Sequence, residues 1–100
     1  MRVIAKRTLR DFWEQHPNFE DARTRLLEWY AEAENSDWQS PADIKERYRS
    51  ASFLKDNRIV FNICGNKYRL IVKINYDFGI VYIRFVGTHS EYDKIDANAI

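Results

Sequence analysis

An α+β fold, a small antiparallel sheet with helices packed on one face, is predicted by two features of this 100-residue chain. Helical apolar spacing dominates the first half, and residues 57–89 read as three strands joined by two tight turns. The expected order is β-α-α-α-β-β-β-α, in a single domain over residues 1–100. The length suits one small core, and the aromatic content supplies large side chains to build it.

MRVIA opens the chain as a short strand, with Val3 and Ile4 as its apolar content. Thr8 offers an N-cap for a helix through TLRDFWEQH, where Leu9, Phe12 and Trp13 fall on one side, and Pro17-Asn18 breaks it. A second helix is predicted from about Phe19 to Ala33. Its apolar stripe is Phe19, Ala22, Leu26, Tyr30 and Ala33, flanked by Leu27 and Trp29, and Asn35-Ser36-Asp37 ends it. Ser40-Pro41-Ala42-Asp43 is a helix start, with a Ser cap, Pro in the first position and acid in the first turn, followed by DIKERYR. Ser50-Ala51-Ser52 loosens the chain before Phe53-Leu54 leads into the sheet.

In the sheet segment, Gly65-Asn66 is a hairpin turn because Gly tolerates positive φ. Folding there pairs Asn62 with Arg69, Val60 with Ile71 and Arg58 with Lys73. A second turn at Tyr76–Gly79 pairs Lys73 with Tyr82, Ile71 with Arg84 and Arg69 with Val86. Paired residues share a face of the sheet. One face then carries Ile59, Phe61, Ile63, Tyr68, Leu70, Val72, Ile74, Val81, Ile83 and Phe85. The other carries Arg58, Val60, Asn62, Arg69, Ile71, Lys73, Tyr82, Arg84 and Val86. The two turns, assigned independently, put every interior basic residue on one side. Beyond the third strand, Thr88-His89-Ser90-Glu91 reads as a capping box opening a last helical turn, SEYDKID.

A half-buried antiparallel sheet with a solvated outer face would explain this alternation without any function. The sign of the charge speaks against that reading. Residues 57–87 hold five basic side chains and one acidic, Asp77, whereas a merely solvated face mixes Glu with Lys. Net charge over the whole chain is only +1, so the basic character is local to the sheet. Arginine adds a planar fork that fits phosphate oxygens.

Other classes of function find no support. Cys64 is the only cysteine, which rules out an internal disulfide, fits a reducing cytoplasm and reads as an inert structural thiol. One Cys with two distant His, His16 and His89, offers no metal-ligand spacing. No apolar run reaches membrane-spanning length, and MRVIAKRTLRDF lacks a signal-peptide core, so a cytoplasmic protein without membrane contact is expected.

The stretches VFNICGNKYRLIVKI and VYIRFVGTHSEYDKID, with Trp38, Asp43-Ile44 and Ser50-Ala51-Ser52 upstream, resemble the HigB toxin family. The resemblance spans roughly residues 1–97 and rests on FNI-GN-YRLIV and GTH-EYD-ID, which together far exceed a short motif match. This family belongs to the RelE-like toxins of toxin–antitoxin operons. The resemblance implies a compact α+β fold and ribosome-associated cleavage of messenger RNA without a cofactor. It also implies neutralisation by a HigA-type helix-turn-helix antitoxin, through which alone the toxin would meet operator DNA.

Cleaving RNA without a metal requires the 2′-hydroxyl to attack the adjacent phosphorus. One group must take the 2′ proton, another must stabilise phosphate charge, and a third must protonate the 5′-oxygen. His89 is the proton-transfer candidate, standing where the third strand gives way to a helix start, although such a residue can also serve only local hydrogen bonding. Arg69 and Arg84, diagonal across adjacent strands in the expected register, are the phosphate candidates. Tyr92, three residues past His89, can stack on a base, assist proton transfer or simply pack. Lys73, Arg58, Asn62, Tyr82 and Lys94 are the candidate RNA contacts. The competing reading is a non-catalytic RNA- or antitoxin-binding module, a degenerate toxin, that uses the same basic sheet.

Overall fold

The computed structural model describes residues 1–15 and 18–100, so the expected break at Pro17 and the end of TLRDFWEQH at His16 lie outside the described residues. The predicted α+β class is found, and the predicted element order with one strand more. The strands are β1 (Arg2–Ile4), β2 (Ser52–Phe53), β3 (Arg58–Ile63), β4 (Tyr68–Asn75) and β5 (Ile80–Thr88). The helices are α1 (Lys6–Gln15), α2 (Glu20–Glu34), α3 (Pro41–Arg47) and the single turn α4 (His89–Tyr92). The strands form one sheet in the order β1-β5-β4-β3-β2. It is antiparallel throughout except for β1, which runs parallel to β5 with Val3 beside Val81.

Several local expectations shift by a residue or two. α1 begins at Lys6, so Thr8 lies inside the helix rather than at its cap, donating its backbone N–H to the Ala5 oxygen. In α2, Trp29 is not a flanking residue but core at 2% exposure, while Tyr30 is only half-buried beneath the Lys6 ammonium. Ser40 does cap α3 by position, yet its hydroxyl makes no capping bond; Asp43 instead accepts from the Gln39 N–H at 2.8 Å. Ser52–Phe53, expected only to lead into the sheet, pairs with β3 as a short edge strand.

The core lies between the helices and one face of the sheet. Leu9 and Phe12 of α1, Ala22, Leu26, Trp29 and Ala33 of α2, and Ile44 of α3 meet Ile59, Phe61, Ile63, Tyr68, Leu70, Val72, Ile74 and Val81. Phe61 is edge-on to both Trp29 and Tyr48, at centroid separations of 5.4 and 5.1 Å. The start of α2 is latched to the β3–β4 turn by Asp21, which accepts from Lys67 Nζ at 2.6 Å and from the Tyr68 hydroxyl at 2.8 Å. These two hydrogen bonds hold the Asp21 carboxyl below the ordinary range for aspartate. Burial and the nearby Asp21 raise the Cys64 thiol, the direction of an unreactive cysteine.

Val60 and Ile71 are buried on the opposite face, apart from this core. After α4 the chain makes short turns, with Tyr92, Ile95, Ala97 and Ile100 half-buried. It ends with the Ile100 oxygen accepting from Arg58 Nε at 2.9 Å. On this second face the chain end is thus tied to β3, whereas Tyr82 and Arg84 of β5 and Ile4 of β1 are exposed.

Candidate active site

The β3–β4 register is the one expected from sequence: Asn62 opposite Arg69, Val60 opposite Ile71 and Arg58 opposite Lys73. Positive φ falls at Gly65, as expected, and also at Cys64, and the turn closes the expected pairs. The β4–β5 hairpin starts as expected, with Lys73 opposite Tyr82, and then departs. A bulge between Ile71 and Val72 slips the pairing by one residue. Ile71 faces Phe85 rather than Arg84, and Arg69 faces Gly87 rather than Val86.

Because side chains alternate with period two, one extra residue exchanges the faces of everything beyond it. Phe85, expected in the core, moves to the open face beside Arg69, while Val86, expected outside, packs on the core. Arg84 is the extra residue, exposed and without a cross-strand partner. It therefore loses the diagonal position next to Arg69 and stands three residues before Gly87, about 10 Å along the strand. The sequence carried a hint of this: Phe85-Val86 places two apolar residues in succession where strict alternation allows one.

Gly87 makes the rearrangement fit. A Cβ on it would lie 2.6 Å from Cζ of Phe85 and 3.2 Å from Oε1 of Glu91. The Phe85 ring thus packs where any larger residue's side chain would stand. Gly87→Ala is expected to destabilise the fold by roughly 1–3 kcal/mol through overpacking. Thermal unfolding checks this, and a melt unchanged from wild type would mean that the Phe85 ring turns aside freely.

The capping box expected at α4 is present. Glu91 N–H donates to Thr88 Oγ1 at 3.1 Å, and Thr88 N–H donates to Glu91 Oε1 at 2.8 Å. The His89 N–H is fixed to the Lys67 oxygen at 3.1 Å, which docks the helix start on the β3–β4 turn. The His89 side chain is exposed, with Nε2 facing Asp93 Oδ1 at 3.5 Å. Tyr92 lies under Arg69 instead, with the guanidinium 5.7 Å from its ring centroid. Arg69 Nη1 also donates to the Asn66 and Tyr68 oxygens, at 3.0 and 3.3 Å. Arg69 is thus fixed from two sides, with Nε and Nη2 left for a ligand.

The other candidates separate into two groups. Arg58 has little free surface, 12% by side chain, because Ile100 and Asp56 hold it. Asn62 donates to the Ser50 oxygen at the β3 edge. Lys73, Tyr82, Arg84 and Lys94 are exposed, and among the described residues none of these three cations makes an ion pair. The open strip over β5 and β1 therefore combines cations with Tyr82, Phe85 and Ile4. Neither Phe85 nor the contribution of β1 was foreseen from the sequence. No group of three or more His, Cys, Asp or Glu able to hold a metal occurs among the described residues. Nor is any helix there long and apolar enough to cross a membrane.

Comparison with known proteins identifies the family. The family model HigB_toxin, the RelE-like toxic component of a toxin–antitoxin system, matches residues 22–95. The mRNA interferase toxin HigB of Escherichia coli K12 is 30% identical over 99 residues, covering 97% of this chain and 92% of the relative. The mRNA interferase HigB of Shigella flexneri matches to the same extent. With three-quarters of its length matched by that family, the chain belongs to the HigB toxins, the RelE-like toxic components of toxin–antitoxin systems.

Proposed function

We propose that this HigB-family toxin is an endoribonuclease that cuts ribosome-bound messenger RNA and so inhibits translation. The reaction assigned to it is attack of the 2′-hydroxyl on the adjacent phosphorus without a metal ion. The observation that carries this reading is Arg69, clamped by two backbone oxygens and the Tyr92 ring beside the helix start that bears His89. The names of the relatives, mRNA interferases, support it.

In this reading the O2′–P bond forms as the P–O5′ bond breaks. The proton from the 2′-hydroxyl passes to a base, and the departing O5′ receives a proton from an acid. His89, steadied by Asp93, performs one transfer, and the Tyr92 hydroxyl is the candidate for the other. The free donors of Arg69 meet charge developing on the non-bridging oxygens, in a position set before the substrate arrives. Arg84, Lys73 and Tyr82 hold the RNA along β5 and β4, and Lys94 does so from the C-terminal segment. Arg58 and Asn62 border this path, each already hydrogen-bonded to a backbone oxygen of the protein. The partner in this reading is a HigA-type helix-turn-helix antitoxin, through which the toxin reaches operator DNA.

Expression provides the test. Induced without its antitoxin, the chain is expected to arrest growth and deplete translated messages, and co-expression of the antitoxin is expected to restore both. Primer extension on a translated reporter should reveal new 5′ ends within codons. Intact growth and message at high levels of folded protein would favour the non-catalytic module.

A further inference from the structure

A cavity lies at the β4–β5 turn, the end of these strands away from His89. It has a volume of about 360 Å³ and opens to solvent between Asn57, Lys73, Asn75, Tyr76, Asp77 and Tyr82. That volume is within the range of sites for small ligands. Lys73 and Tyr82 are direct cross-strand partners, so one cation and one exposed aromatic ring stand side by side on its wall. Asn75 accepts the Phe78 N–H through Oδ1, which leaves its amide NH₂ free to donate. Asn57 sits in the turn before β3 with φ 60, in a left-handed pair with Asp56 at φ 58. Asn and Asp take this left-handed conformation more readily than other non-glycine residues, so the turn holds Asn57 in place at the cavity wall without unusual strain.

The chemistry of the lining is mixed. Asn57 and Asn75 offer amide edges, Asp77 accepts, Lys73 donates with a full charge, and the Tyr82 ring is available for stacking. A cavity meant only for phosphate would be uniformly cationic. Paired donors and acceptors beside an aromatic ring instead match the hydrogen-bonding edge and face of a heterocyclic base, with Lys73 placed for the attached phosphate. The second cavity, about 140 Å³ between Arg25, Trp29, Arg47, Tyr48 and Cys64, lacks this character. There Glu28 and Glu32 already pair the two arginines.

We infer that the cavity at Asn57, Lys73, Asn75 and Tyr82 is a nucleobase-binding subsite for a ribonucleotide flanking the cut. Lys73 lies four residues along β4 from Arg69, about 13 Å, a span that places the bound base outside the reacting dinucleotide. The inference rests on the ribonuclease reading for its role in RNA, but binding of a single nucleotide can be tested without cleavage.

The experiment titrates the isotopically labelled full chain with each of the four ribonucleoside 5′-monophosphates and, separately, with inorganic phosphate. Nucleotides are expected to shift the side-chain amide signals of Asn57 and Asn75 in a saturable way, one base more tightly than the rest, while phosphate leaves them in place. Tyr82→Ala should weaken nucleotide binding at least tenfold without changing the thermal melt. Equal shifts with inorganic phosphate, or no shifts, would overturn the subsite. A second arm maps cut sites on a translated reporter with wild type and Asn57→Ala. Retained cutting with an altered base distribution at one flanking position supports the subsite; an unchanged distribution overturns it. Absence of cutting by wild type would count against the ribonuclease reading alone, leaving the nucleotide titration to decide the subsite.

Discussion

His89→Gln is expected to slow message cleavage about 10²–10⁴-fold, the usual loss when a positioned proton-transfer group is removed. The change is chosen to leave everything else in place. The backbone bond from His89 N–H to the Lys67 oxygen does not involve the side chain, and the capping box belongs to Thr88 and Glu91. Gln can still donate to Asp93 across the single turn of α4. Thermal unfolding should therefore match wild type, because a substitution at an exposed site rarely moves stability by more than about 0.5 kcal/mol. Sedimentation with ribosomes should also survive, since Arg69, Arg84 and Lys73 are untouched. A variant that binds but does not cut places His89 in the chemistry. Cutting at the wild-type rate would return His89 to a helix-start residue and pass proton transfer to Tyr92 and its neighbours. Loss of binding together with cutting would mean that the imidazole shapes the helix start.

Phe61→Ala is expected to give the largest loss of stability, roughly 3–5 kcal/mol. Phe61 is 1% exposed and wedged between Trp29 and Tyr48, so its removal opens a cavity bounded by two rings that cannot both collapse into it. Small domains are stable by only about 5–15 kcal/mol, so this is a large share of the total. For a chain of this length the melting temperature should fall on the order of 20 °C. The pair of variants separates the two faces of the sheet: one loses cutting and keeps its melt, the other loses its melt first. A Phe61→Ala protein that melts within a few degrees of wild type would contradict the packing described for β3.

What the sequence determined by itself is what is encoded within a few residues. The Gly65 and Gly79 turns set the pairing at the start of each hairpin, since a turn ties the residues on either side of it. The apolar alternation from Ile59 to Ile74 chose the core face, and Thr88 with Glu91 announced α4, because a capping box is made of residues three apart. The concentration of positive charge on one sheet face was legible for the same reason. What only the tertiary structure decided depends on segments far apart in the chain. The β5 bulge moves Phe85 outward and Val86 inward, and it separates Arg84 from Arg69. A period-two pattern is blind to one inserted residue unless the partner strand is known. β1 joins the sheet beside β5 across nearly eighty residues, and no local signal in MRVIA names its neighbour. The Ile100 oxygen at the far end of the chain claims Arg58, which takes that cation out of the exposed basic face, and Val60 and Ile71 are buried on the same side. Arg58 and Ile100 are 42 residues apart, so no local pattern in the sequence could announce that contact.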